Sequence, residues 1–256
     1  MITLGSAALA GETRHHRVLD NGFRFHRSEW MQSGRGPGLS PTVFLVEQPP
    51  NSVLAPHFHM QNQFQVIQAG SGMLGRHALG PGSVHYAGAF TGYGPLAAGP
   101  EGLSYFTIRA VFETGANFLP AARDRMRQGP RRHAQGPTHE PLSLDALRDL
   151  ASTRRVQLIA PLGDLEAFAL QLPPFAQVEP GEPGGSGQFQ LVLAGALETP
   201  QGRLQAWESR YLSPGEDAAG CTAGAGGLHL LVLQVPAGAP EYAEDEAPGV
   251  SCIKIA

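Results

Sequence analysis

The sequence predicts an all-β protein built from two copies of one antiparallel barrel. Three observations lead there. The 256 residues include 33 Gly and 22 Pro but only 16% charged residues, a density of turn-formers that suits many short strands rather than long helices. Runs of β-branched and aromatic residues, bounded by Gly or Pro, recur along most of the chain. The third observation is an internal repeat. Setting Gly70 against Gly195 pairs "QFQVIQAG" with "QFQLVLAG", and ordered self-similarity of this kind marks a duplicated unit.

Taken in order, "GFRFHRSEW", "PTVFLVEQ", "NQFQVIQAG" and "LSYFTIRAVF" supply strands of the first half. "VQLIAPL", "AFALQL", "QFQLVLAG", "RLQAWESRYL" and "LHLLVLQVP" supply those of the second. Between them, residues 120–141 carry five Arg and four Pro and read as a linker. Residues 139–153, "HEPLSLDALRDLAST", form the single stretch with helical spacing. Pro141 and Ser143 can start it, and Leu144, Leu147, Leu150 and Ala151 make its apolar stripe. Outside the repeated octet, "GPGS" (80–83) answers "SPGE" (213–216), and "AGPEGLSYFTIR" answers "AGAGGLHLLVLQ". The expected division is a first barrel over 1–119, a linker and helix over 120–155, and a second barrel over 156–256.

A formal charge of −4 provides no basic face for nucleic acid. No stretch approaches 18 consecutive apolar residues, so no membrane span is expected. Cys221 and Cys252 form neither a CxxC pair nor a disulfide framework, which suits a reducing cytosol. The first residues, "MITLGSAALAGETRHH", lack the basic stretch of a signal peptide. A cytoplasmic protein is therefore expected. The acidic "PEYAEDEAPG" reads as a solvated segment near the C-terminus.

The stretch "APHFHMQNQFQVIQAGSG" carries the chemistry. Alternate side chains of an extended strand share a face, so His57 and His59 point the same way, with Gln63 and Gln65 joining them if the strand is continuous. Phe58, Phe64 and Val66 then face the other side. Two imidazoles so placed can both reach one divalent ion. A hairpin returning through "GPGSVHY" brings His85 beside them. Imidazole suits iron, nickel and zinc alike.

"HFHMQNQFQVIQAG" resembles the first motif of the cupin superfamily, His-x-His followed by a Glu and then a Gly. Gln63 stands at the Glu position and Gly70 at the Gly position. "GPGSVHYAGA" resembles the second motif, with Gly82 and His85 matching and Gly80 and Ala89 departing from it. The resemblance implies a bicupin: two antiparallel jelly-roll barrels. It also implies one divalent metal (Fe, Mn, Ni or Zn) held by His57, His59 and His85. Gln63 serves either as a further ligand or as their support. Carried across the repeat, the positions of His57, His59 and Gln63 fall on Glu182, Gly184 and Gln188, and that of His85 near Ala218, so the second barrel is expected to hold no metal. What recurs is what a strand and a tight turn need, and what does not recur is what a metal needs. A three-His site matches bicupin dioxygenases of the gentisate type, which implies a metal-dependent oxidoreductase acting on a small organic molecule. A Lewis-acid isomerase or lyase and a non-catalytic small-molecule binder stand as alternatives. A homodimer is implied by resemblance alone.

Gln65, Arg76, Tyr86 and Tyr93 are the candidate substrate contacts, with Tyr105 and Arg109 as further possibilities. His77 reads as a strand residue and His26 as structural. His15, His16, His133 and His139 are expected on the surface. The Gly- and Pro-rich "AFTGYGPLAAGPEG" is expected to order a loop near the site.

Overall fold

The computed structural model describes residues 1–36 and 38–242. The acidic segment beyond Tyr242 and Cys252 lie outside the described residues. The chain begins with β1 (Ile2–Gly5), α1 (Ala7–Thr13), β2 (His15–Val18), β3 (Arg24–Gln32) and β4 (Thr42–Gln48). There follow β5 (Val53–Leu54), β6 (His57–Phe58), β7 (Gln63–Leu74), β8 (His77–Leu79), β9 (Val84–Ala87) and β10 (Leu96–Arg109). The middle of the chain holds β11 (Asn117–Phe118), β12 (His133–Gln135) and α2 (Leu144–Arg148). The second half holds β13 (Arg154–Leu162), β14 (Leu165–Leu172), β15 (Gln188–Thr199), β16 (Gly202–Gln205), β17 (Ser209–Leu212) and β18 (Thr222–Gln234).

Among the described residues every pairing is antiparallel, and the strands sort into two large sheets. One runs β12-β9-β7-β10-β4-β3-β2 and the other β1-β17-β15-β18-β14-β13, while β6 and β11 form a small sheet of their own. Two short strands join the sheets from elsewhere in the chain. β1 crosses to the second sheet, with Ile2 opposite Leu212, and β12 from the linker extends the first, with Gln135 opposite His85. No helix among the described residues is long and apolar enough to cross a membrane.

The repeated octet has a physical reason. β7 and β15 each turn at a glycine with φ of 78°, Gly70 and Gly195. A Cβ there would lie 2.2 Å from the Gly102 carbonyl oxygen in one barrel and 2.1 Å from that of Gly227 in the other. No other residue fits at either place. Phe64 and Val66 point as expected, away from the histidines. They enter a core between the two sheets that also takes Phe106, Leu191 and Leu231. Phe106 packs edge-on to Trp30 at 5.2 Å and stacks with Trp207 at 6.0 Å, which ties the barrels together.

Two helical readings need correction. α1 has no counterpart in the sequence analysis, although Ser6 caps it by accepting from the Leu9 N–H at 3.3 Å. The helix expected over 139–153 spans only Leu144–Arg148, capped by Ser143. Its upstream half is held extended by tertiary bonds. The Leu142 N–H donates to His229 Nδ1 at 3.1 Å, and His229 Nε2 lies 2.9 Å from His139 Nε2. His139 is therefore half-buried rather than on the surface.

Because His229 Nδ1 accepts, its Nε2 carries the proton and donates to His139, and both rings are neutral. Burial, with His139 alongside, lowers the His229 pKa to about 4. Between that value and the unfolded value near 6.5 the unfolded chain binds more protons, so stability falls as pH falls through this window. His229 alone accounts for a loss on the order of 3 kcal/mol. Urea unfolding at pH 7 and pH 4.5 checks it: His229→Gln should lose less stability on acidification than the wild type, and an equal loss in both would contradict the assignment.

Candidate metal centre

β6, β7, β9 and the loop before β10 bring the candidate residues together. β6 and β7 are separate strands rather than one continuous strand, yet His57, His59, Gln63 and Gln65 all sit on the inner side and are buried. Register places His85 directly opposite Gln65. Tyr93 is clamped opposite His57 by two backbone bonds of 3.0 Å, the N–H of each meeting the carbonyl of the other. The next residue must be glycine, because a Cβ on Gly94, at φ 110°, would lie 3.1 Å from the Cα of Pro56.

The hydrogen bonds fix the tautomers of His57 and His85. His57 Nδ1–H donates to the Ala55 carbonyl at 2.8 Å, which leaves Nε2 to accept from the Tyr93 hydroxyl at 2.9 Å. His85 Nδ1–H donates to Gln65 Oε1 at 3.0 Å, and its Nε2 is buried without a hydrogen-bond partner. Gln63 donates from Nε2 to the Tyr93 oxygen at 2.5 Å and accepts at Oε1 from Arg109 Nε at 3.1 Å and Nη2 at 2.8 Å. Arg109 Nη2 also lies 3.0 Å from His59 Nδ1, which faces Glu113 Oε2 at 3.2 Å. Glu113 accepts at Oε1 from the Met60 N–H at 2.9 Å.

Burial, reinforced by neighbouring cationic groups, lowers all three imidazoles. His57 falls to about 3, chiefly through burial and then His59. His59 is lowered by burial and Arg109, and His85 by burial and then His133. Burial alone would raise Glu113, but the His59 ring beside it and the Arg109 charge hold it below the usual carboxylate range. The site thus combines three neutral imidazoles with one guanidinium and one carboxylate.

As the side chains stand, no three His, Cys, Asp or Glu residues among those described surround a single point closely enough to hold an ion. The Tyr93 ring lies between His57 and His85, at 4.5 and 4.9 Å from their rings. The donor chemistry nevertheless fits a divalent metal. Two imidazoles have Nδ1 engaged by an acceptor and Nε2 turned inward, the arrangement that orients histidine ligands. The partnerless His85 Nε2 is a buried nitrogen lone pair, which is costly unless something binds it.

Of the candidate substrate contacts, Gln65 and Tyr93 meet the site and two do not. Arg76 is exposed on the β7–β8 turn. Tyr86 alternates with His85 and so faces the core between the sheets, 5.0 Å from Phe64. Tyr105, Thr107 and Arg109 line a cavity of about 100 Å³ beside His57 and His59. Glu113 escaped the sequence reading; its one signal was its place four residues after Arg109, beyond the strand. His133 is exposed, as expected, and packs against His85 at 4.7 Å.

The second barrel is filled differently. Register sets Arg210 opposite Gln190, as His85 is opposite Gln65, so the residue answering His85 is Arg210 and not Ala218. "SPGE" follows β17, whereas "GPGS" precedes β9, which is why pairing those two turns misplaced it. Arg210 donates from Nε to Gln190 Oε1 at 2.8 Å and from Nη2 to the Ala218 carbonyl at 3.2 Å. Gln190 in turn donates to Gln188 Oε1 at 2.5 Å.

No family model and no curated protein matches the chain. Solved structures do. A Nostoc punctiforme protein described as a "putative dioxygenase" aligns at TM-score 0.56 and 13% identity, over 93% of this chain and 79% of that one. Bacillus subtilis oxalate decarboxylase, as a mutant form, aligns at 0.56 and 14% over 88% and 76%. The Escherichia coli pirin YhhW, in complex with nickel(II), aligns at 0.52 and 13% over 92% and 100%. These likenesses are of fold alone, an all-β fold of the cupin kind.

Proposed function

We propose that this chain, with its doubled cupin fold, is a metal-dependent oxidoreductase of the dioxygenase kind acting on a small organic molecule in the N-terminal barrel. The observation that carries the reading is the pair of oriented imidazoles, His57 and His85, the latter with a buried nitrogen that no protein group satisfies. His57, His59 and His85 would hold one divalent ion. Gln63 acts as a support, because its carbonyl oxygen already accepts twice from Arg109. An ion so held supplies Lewis acidity and, if iron or manganese, redox chemistry toward dioxygen. Beside it Tyr93 is a hydroxyl donor, burial raising its pKa so that the phenol keeps its proton. Arg109 and Glu113 both approach Nδ1 of His59 and hold that edge of the ring. A homodimer and a cytosolic setting belong to the same reading.

Metal content measured by mass spectrometry on untagged protein tests it. About one iron, manganese or nickel per chain is expected, and none in a His57→Ala/His59→Ala double variant; oxygen uptake with candidate organic acids then follows. No metal in the wild type after reconstitution would sink the reading. One observation favours a second one. The Tyr93 hydroxyl on His57 and the guanidinium on His59 and Gln63 already satisfy most of the polar groups, as a metal-free binding barrel requires.

A further inference from the structure

We infer that the cavity of the N-terminal barrel binds a short aliphatic carboxylate, anchored on Arg109 with Tyr105 and Thr107. This deepens the functional reading above by naming the ligand class, and it rests on that reading only in taking the same barrel as the site. The argument begins with β10. Residues alternate across a strand, so Tyr105, Thr107 and Arg109 share one face. All three are at most 3% exposed and all three line the cavity.

Each brings a hydrogen-bond donor that the protein leaves open. Arg109 commits Nε and Nη2 to Gln63 and His59, while Nη1 has only Glu113 Oε2 near it, at 3.7 Å and beyond hydrogen-bond reach. The Tyr105 hydroxyl and the Thr107 hydroxyl have no hydrogen-bond partner among the described residues. None of these three groups is sealed inside the protein, so all three open to the cavity, where a ligand can take the place of water. An acceptor-rich anion answers all three at once, and a planar carboxylate suits a guanidinium edge.

Charge and shape agree. Arg17 and Arg27 also line the cavity, Arg27 with its charge already met by Glu29 at 2.6 Å, and Glu113 is the carboxylate in the lining. Phe23, Phe25, Phe44, Val46 and Leu54 supply the apolar part of the lining, Phe44 and Val46 lying beside Thr107 and Tyr105 on the neighbouring strand. The ligand therefore carries hydrocarbon as well as charge. The cavity holds about 100 Å³, less than the ~150 Å³ that accommodates benzene. A three- or four-carbon acid fits that space, while an aromatic acid is too large.

The test is calorimetric titration of propionate and pyruvate, with propionamide and benzoate as controls, into chelator-treated and metal-reconstituted protein. Both short acids should bind the chelator-treated protein, and propionamide and benzoate should bind at least tenfold more weakly. Tyr105→Phe and Thr107→Val, which keep the packing, should each weaken propionate about five- to tenfold, the equivalent of one hydrogen bond. Arg109→Lys should weaken it further, with circular dichroism confirming the fold. Equal binding of acid and amide, or undiminished binding in both hydroxyl variants, overturns the proposal. So does binding that needs reconstituted metal, since the anchor is then the ion and the metal reading stands without this one. Binding by a protein that takes up no metal leaves this proposal intact and removes the metal reading.

Discussion

Replacing Arg109 with methionine is expected to lower the free energy of unfolding by roughly 3–5 kcal/mol, the cost of stranding one partner of a buried ionic network. Arg109 is 3% exposed and is the buried cation that faces Glu113, itself held ionised inside the barrel. Methionine fills the space but leaves the Gln63 carbonyl oxygen without its donors and the Glu113 carboxylate without its neighbouring cation. Two unmet needs of different kinds would then share one pocket. Converting the carboxylate as well, in Arg109→Met/Glu113→Gln, should recover at least half of the loss. The amide keeps the acceptor for the Met60 N–H and carries no charge. Urea unfolding of the wild type, the two single variants and the double variant gives the coupling directly. A loss under about 1 kcal/mol in Arg109→Met, or a double variant no better than that single, would show that the guanidinium is not balancing Glu113.

Much of this architecture was legible because its causes are local. Gly70 and Gly195 recur because each meets a carbonyl oxygen where a Cβ cannot go, and the glycine leaves its mark in the sequence. His57, His59 and Gln65 could be put on one face from parity alone, and the structure keeps them there even though β6 and β7 are broken between them. What escaped notice depends on partners distant in sequence. Nothing near Glu113 announces that it will meet His59. Nothing in residues 139–142 reveals that His229, some 90 residues on, will hold them extended instead of helical. Tyr86 and Tyr93 look alike in sequence, but a one-residue step from His85 turns the first into the core, and a backbone bridge to His57 turns the second into the site.

The contrast between the barrels yields the sharpest expectation about metal. The same glutamine serves both: Gln65 accepts from the His85 Nδ1–H in the first, and Gln190 accepts from the Arg210 Nε–H in the second. A neutral imidazole leaves a lone pair pointing inward from that place, whereas a guanidinium has donors only and a fixed positive charge. Arg210 is held by Gln190 and the Ala218 carbonyl, both neutral, so its charge is not cancelled locally. Arg109 in the first barrel, by comparison, has Glu113. Introducing the second barrel's residue into the first, His85→Arg, should therefore remove a ligand and add an uncompensated cation together. A loss of metal affinity exceeding the roughly 10–100-fold typical of a supporting residue follows. Gln65→Leu, which removes only the support of His85, should fall within that range. Competition titrations against a chelator of known affinity, with metal counted per chain, separate the two. If His85→Arg keeps its metal within threefold of the wild type, His85 is not a ligand. The partnerless nitrogen that suggested the site would then need another explanation.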